Sequence, residues 1–325
     1  MQAWSAGKSF LAGSLLLVGC ALPVAAQMPP TFVVDPAKFI ASTALPVEDL
    51  PSATVEPTGT AVPTAAPTAS ATPAAPTATA TAQPTATPAP CLNPQGVYVD
   101  LLAPAVQLAK PIFTHVYLPP CYLKADGRAY PVLYLLHGMN QTPDIWDQVG
   151  LLAVADQLIV NGEIPPLVIV MPRVNESGDF AAALAADLVP HIDSVLRTLP
   201  ERSHRALGGI SRGGGWALRS ALDYPQVFGA LGLHSLAIIW GDDNRITKAL
   251  NRSVPAALPR FYLDIGANDS LQVSAAWLDG MLSVRNIEHT YLVQPGFHGP
   301  AYWRAQLPDY LRWYGSAWGD LPRGP

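Results

Sequence analysis

Gly209-Ile210-Ser211-Arg212-Gly213 sets one serine between two glycines at a spacing suited to nucleophilic chemistry. On a sharp strand-to-helix turn, a serine hydroxyl is thrust out of the sheet. The residues two before and two after it must be small to avoid collision. The helix that follows points its positive end at the serine and at charge developing beside it. The chemistry implied is acyl transfer, with attack on a carbonyl and an oxyanion to stabilise. Two rival readings exist. A glycine-rich strand-to-helix turn also suits phosphate, but there is no Gly-Lys-Ser/Thr and no Gly-x-Gly-x-x-Gly opening the first βαβ unit. An idle serine in a tight turn is the other, and the partners below count against it.

A serine hydroxyl needs a base, usually a histidine oriented by a carboxylate, and in this architecture the chain order is Ser, acid, His. Of seven histidines, His234, His289 and His298 follow Ser211. His289 opens a predicted strand and reads as structural. His234 ends a strand at the same sheet edge as Ser211 and is expected to line the pocket. His298, in Gly296-Phe297-His298-Gly299-Pro300, sits in a loop before the last helix and is expected to be the base. For the acid, Asp264 falls inside a strand and is expected to satisfy local backbone donors. Asp269 lies beyond that strand's C-terminal end, where catalysis collects in open α/β sheets, and is the expected acid. The expected oxyanion donors are the amides of Arg212 and of Met139, in His137-Gly138-Met139. His137 precedes the serine and reads as a loop organiser at the substrate pocket. Trp146, Trp240 and Trp303 are candidates to line that pocket, against the alternative of plain packing.

These residues need a scaffold. Val97–Leu102, Ile112–Leu118, Val132–Leu136, Leu167–Met171, Arg205–Ile210, Ala230–Leu233, Arg260–Ile265 and His289–Val293 read as strands. Trp146–Val160, Phe180–Leu199, Trp216–Leu222, Leu271–Val284 and Tyr302–Tyr314 read as helices, with Pro190 kinking the second or starting a new segment. Alternation of this kind predicts an α/β domain with a mostly parallel central sheet and helices on both faces.

Tyr130–Gly138, Gly208–Gly214, Gly266–Leu271 and His298 before Trp303 together resemble the esterase D-like family of the α/β-hydrolase superfamily. That group includes feruloyl and acetylxylan esterases, S-formylglutathione hydrolases, siderophore esterases and mycolyltransferases. The resemblance covers roughly residues 95–318. It implies an α/β-hydrolase fold, a Ser211–Asp269–His298 triad, an oxyanion hole at Met139 and Arg212, and hydrolysis of a carboxylic ester. Acyl transfer to an alcohol is the alternative on the same site, and a non-catalytic carbohydrate-binding surface module is a different class. The sequence departs from the family at Arg212, where Met or Gln is common, and at Gly299 and Gly215. A guanidinium beside the site suits recognition of a carboxylate.

The rest of the chain differs in kind. Residues 1–90 hold 14 of the 34 prolines but only six of the 43 charged residues, so whole-chain averages mix two regions. Residues 1–26 read as an export signal, with Lys8 followed by the apolar run Phe10–Val18. Val24-Ala25-Ala26 suits signal-peptidase cleavage, and Leu17-Val18-Gly19-Cys20 resembles a lipobox that would lipidate Cys20; an uncleaved anchor is the third reading. Residues 27–90, rich in Ala, Thr and Pro, read as a disordered linker with little to bury. Residues 91–325 read as one hydrolase domain. Its two cysteines, Cys91 and Cys121, form an even pair in an oxidising compartment and are expected to be bridged. The expected partner is a small or polysaccharide-linked ester, with a membrane reached only through a lipid anchor. A net charge of −5 without a Lys/Arg cluster excludes nucleic acid. No His-x-x-x-His or paired-carboxylate cluster suggests a metal, and no cofactor is expected.

Overall fold

Val132-Leu133-Tyr134-Leu135-Leu136 carries no charge, and all five residues are buried. A strand that is apolar on both faces needs cover on both sides. The structure is a computed structural model, which describes residues 32–33, 91–124, 126–176 and 178–325. The strands are β1 (Phe32–Val33), β2 (Val97–Ala103), β3 (Ile112–Leu118), β4 (Val132–Leu136), β5 (Val168–Pro172), β6 (Arg205–Ile210), β7 (Ala230–His234), β8 (Arg260–Gly266) and β9 (His289–Gln294). They form one sheet in the order β1-β2-β3-β5-β4-β6-β7-β8-β9. From β5 to β9 every pairing is parallel, while β3 is antiparallel to both β2 and β5. Phe32–Val33, inside the stretch read as linker, pairs with β2. The export signal, Cys20 and the remainder of 1–90 lie outside the described residues.

The helices are α1 (Ile145–Gln148), α2 (Leu151–Val160), α3 (Phe180–Ala182), α4 (Val189–Val195), α5 (Arg212–Asp223), α6 (Asp243–Arg252), α7 (Gln272–Ser283) and α8 (Pro300–Ser316). Alternation along β4 divides the core between the two faces. Val132, Tyr134 and Leu136 join Phe180, Trp216 and Leu278 on one side. Leu133 and Leu135 join Leu158, Tyr310 and Tyr314 on the other. This is the α/β-hydrolase fold. Among the described residues, no helix is long and apolar enough to cross a membrane.

Local differences from the sequence reading have simple causes. The helix expected from Trp146 breaks at Gly150, whose φ of 93° belongs to the left-handed region. The helix expected over Phe180–Leu199 stops at Val195, and a π-helical stretch, Ala183–Leu188, separates α3 from α4. Pro190 follows directly on that π-helical stretch, inside a helix that runs on without a break, where it has no N–H to continue the ladder. α6 is polar, with only Ile246 and Leu250 buried along it, so its sequence carries little apolar periodicity.

Two features position a site. β4 has β5 on one side and β6 on the other, so chain connections leave it in opposite directions. A crevice therefore opens beyond the C-terminal ends of β4 and β6. In addition, Cys91 and Cys121 form a disulfide across 30 positions, tying the segment before β2 to the segment before β4. Closing a loop of that size stabilises by about 3–4 kcal/mol. Cys121→Ser is expected to lower the melting temperature by about 10 °C in a thermal scan. An unchanged melting point would show that the bridge does not constrain the unfolded chain.

Candidate active site

Ser211 follows β6 and precedes α5, with φ 54° and ψ −123°. A non-glycine residue there is strained, and such strain persists only where the surroundings impose it. The surroundings here are explicit. Ser211 N–H donates to His234 O at 2.8 Å, and Ser211 O accepts from Ala237 N–H at 3.1 Å. A Cβ on Gly209 would lie 2.4 Å from Gly213 C, and one on Gly213 would lie 2.4 Å from Leu136 O. The two glycines thus let α5 start hard against β4 and β6.

The exposed hydroxyl meets a histidine from a different element. Ser211 Oγ lies 3.0 Å from His298 Nε2, in the loop between β9 and α8. His298 Nδ1–H donates to Asp269 Oδ2 at 2.8 Å. With Nδ1 protonated against the carboxylate, Nε2 is left as the acceptor facing Ser211. Asp269 Oδ1 accepts Leu271 N–H at 2.8 Å, which orients the carboxylate. Its side chain is sealed from solvent, while that of His298 is 30 % exposed. One hydrogen-bonded line thus runs from Ser211 through His298 to Asp269.

Beside Ser211, a cavity of about 320 Å³ is lined by His137–Gln141, Val174, Glu176 and Arg212. Arg212 opens α5, so the helix ladder provides no acceptor for its amide. Gly138 N–H is taken by Gln141 Oε1 at 2.9 Å. No hydrogen bond among the described residues engages the Met139 amide. A larger hollow of about 490 Å³ opens at the other end of β8 and β9, beside Arg260, His289 and Trp313; none of Ser211, Asp269 and His298 lines it.

His137 is a loop organiser in the structure. Nδ1–H donates to Gly138 O at 2.9 Å, and Nε2 accepts Val174 N–H at 3.0 Å. Burial holds its pKa below the usual histidine value, which keeps the accepting nitrogen unprotonated.

Other expected residues are placed differently. Trp146 is fully buried in the core, so it lines no pocket. His234 is also fully buried, with its ring turned into the sheet-to-α8 layer instead of the crevice. Trp303 is 2 % exposed and donates Nε1–H to Ser235 Oγ at 3.1 Å; its ring stands perpendicular to that of His298, with centroids 5.4 Å apart, and its burial leaves little surface for a ligand. Trp240, by contrast, is 97 % exposed. Asp264 does not use its carboxylate on backbone donors, because His234, Tyr302 and Tyr310 side chains occupy it. The Arg212 guanidinium is already paired with Glu176 at 3.2 and 3.1 Å, which removes it as a free carboxylate receptor. Glu176 carries no motif that would have flagged it.

An α/β-hydrolase fold with a strained serine at the β6–α5 turn defines the class. The family model described as Putative esterase matches residues 106–314, and the chain belongs to that esterase family. The Endo-1,4-beta-xylanase/feruloyl esterase of Xylanibacter ruminicola is 34% identical over 171 residues, covering 48% of this chain and 22% of the relative. Endo-1,4-beta-xylanase Y of Acetivibrio thermocellus is 27% identical over 238 residues, covering 62% of this chain and 21% of the relative. The chain thus spans about a fifth of the length of these two relatives. A solved ferulic acid esterase superposes with a TM-score of 0.63 at 22% identity, over 70% of this chain and 99% of that one. The feruloyl esterase module from Clostridium thermocellum complexed with sinapinate gives 0.59 at 23%, over 70% and 93%. These two share the fold.

Proposed function

We propose that this esterase is an exported serine carboxylic-ester hydrolase, with residues 91–325 as its catalytic domain and Ser211, His298 and Asp269 as its triad. The observation that carries the reading is His298, bridging Ser211 Oγ at 3.0 Å and Asp269 Oδ2 at 2.8 Å. Export rests on the composition of residues 1–26.

In this reading Ser211 Oγ attacks the ester carbonyl while its proton passes to His298 Nε2. Asp269 stabilises the imidazolium. The amides of Met139 and Arg212 donate to the oxyanion, each contributing about 10²–10³ in rate. The tetrahedral intermediate collapses, the alkoxide leaves with the His298 proton, and an acyl-serine remains. Water, deprotonated by His298, then releases the acid and restores the serine. Every proton and electron pair is handled by these groups, so the route calls for no metal or cofactor.

A fluorophosphonate probe is expected to label Ser211, read by peptide mass spectrometry; an unlabelled serine with intact folding sinks the reading and favours a binding module. Asp269→Asn is expected to lower kcat by about 10⁴, because an asparagine stabilises the wrong imidazole tautomer. A panel of acetyl, aryl and feruloyl esters, with and without an alcohol acceptor, separates hydrolysis from acyl transfer. The relatives named feruloyl esterase support placing aromatic and polysaccharide-linked esters in it.

A further inference from the structure

Beneath the crevice lies a second carboxylate–imidazole pair that plays no part in the mechanism above. His234 and Asp264 are 0% and 1% exposed. His234 Nδ1–H donates to Asp264 Oδ1 at 2.6 Å, and Tyr314 O–H donates to His234 Nε2 at 3.0 Å. Asp264 Oδ2 accepts the hydroxyls of Tyr302 at 2.8 Å and Tyr310 at 2.6 Å. One buried negative charge is thereby held by three donors. Burial and the Asp264 charge push the Tyr302 and Tyr310 hydroxyls far above the usual phenol range, so both remain donors.

This network touches the site at two places. The His234 carbonyl holds the Ser211 amide at 2.8 Å. Tyr302 and Trp303 open α8 and lie directly after the His298 loop. The Tyr302 ring also supports the loop: a Cβ on Gly296 would lie 2.6 Å from Tyr302 Cδ2. Gly296 O, on the loop's other side, accepts Asn268 N–H at 2.9 Å, from the turn that carries Asp269. Trp303 is pinned by its bond to Ser235, the residue after His234, and its ring stands perpendicular to that of His298. The loop carrying His298 is thus gripped from below by two adjacent aromatic residues, one tied to Asp264 and the other to Ser235.

We propose that Tyr302 and Trp303 are positioning residues, which use the sealed Asp264–His234 pair and Ser235 as anchors to fix His298 against Ser211. The inference rests on the reading of Ser211 and His298 given above. A nucleophile and base held by separate loops must stay within hydrogen-bond reach, and a misplacement of about 1 Å costs on the order of 10²-fold in rate. Loosening the loop therefore lowers kcat and leaves KM for a small ester unchanged.

Tyr302→Phe deletes one hydroxyl and keeps the ring under Gly296. Its kcat on p-nitrophenyl acetate is expected to fall about tenfold, with KM within about twofold and slower fluorophosphonate labelling to match. Trp303→Phe, which loses the donor to Ser235 and part of the buried ring but keeps an aromatic group, is expected to show the same fall in kcat with KM within about twofold, on top of a lower melting temperature. Tyr310→Phe is the control: it removes a donor from the same Asp264 oxygen, but Tyr310 lies two turns along α8 and reaches no part of the loop. It is expected to lower the melting temperature as much as Tyr302→Phe while kcat stays within about twofold of the parent. The proposal is overturned if Tyr302→Phe keeps the parent kcat, or if Tyr310→Phe loses as much activity as Tyr302→Phe. Retained activity in Ser211→Ala would instead overturn the reading on which it rests. An inactive Ser211→Ala beside a fully active Tyr302→Phe overturns the positioning role alone.

Discussion

Ser211→Ala is expected to lose ester hydrolysis by about 10⁶ in kcat while its thermal melting curve overlays that of the parent. The size follows from the role. Without Oγ no acyl-enzyme forms, and only the oxyanion donors and substrate binding remain to act on a passing water. The intact stability follows from the structure. Alanine keeps the Cβ at the same place, so the strain at φ 54° is unchanged, and the lost hydroxyl bonds only to a partly exposed histidine. Continuous assay of p-nitrophenyl acetate with purified variant measures this directly. Residual activity above about 1% of the parent would move the nucleophile elsewhere.

Gly213→Ala carries the largest expected effect on folding. The added methyl would sit 2.4 Å from Leu136 O and 2.5 Å from His137 O, both backbone atoms that cannot swing aside as a side chain would. Relief requires α5 to back away from β4, opening the packing that seats Ser211. A cost above about 3 kcal/mol is expected, from overpacking against fixed atoms, with the variant melting at least about 8 °C lower or accumulating in the insoluble fraction. Gly280→Ala is the matched control. Gly280 lies inside α7, and a Cβ there meets nothing within 4 Å. That substitution is expected to stabilise by about 0.5–1 kcal/mol, from helix propensity alone. Equal behaviour of the two variants in a thermal melt would show that the close approach at Gly213 is not what constrains it.

The residues that meet at Ser211 were legible because each sits where its element ends. Gly209, Ser211 and Gly213 announce a turn whose sterics admit little else, and Asp269 and His298 lie just past strands whose apolar runs are long and plain. Strand order was less accessible. The antiparallel placement of β3 against β5 follows from register and twist across the sheet, which no local pattern encodes. Side-chain burial was the hardest to read. His234 ends β7 and Trp146 lies in α1 beyond β4, yet a ring's direction depends on what packs above it. Asp264 shows the same limit. Its place inside β8 was plain, but its partners come from β7 and from α8, nearly forty residues away in sequence in the case of Tyr302.

The disulfide has a mechanical consequence. Cys91 lies just before β2, and its sulfur is joined to Cys121, between β3 and β4. Tension applied at Cys91 crosses the covalent bridge to the segment before β4. β2 and β3, at 97–103 and 112–118, lie inside the closed ring and are shunted out of the load path. A pull applied at Cys91 itself therefore does not peel this hairpin away first. The force is delivered beside the central strand whose far end forms the floor of the crevice.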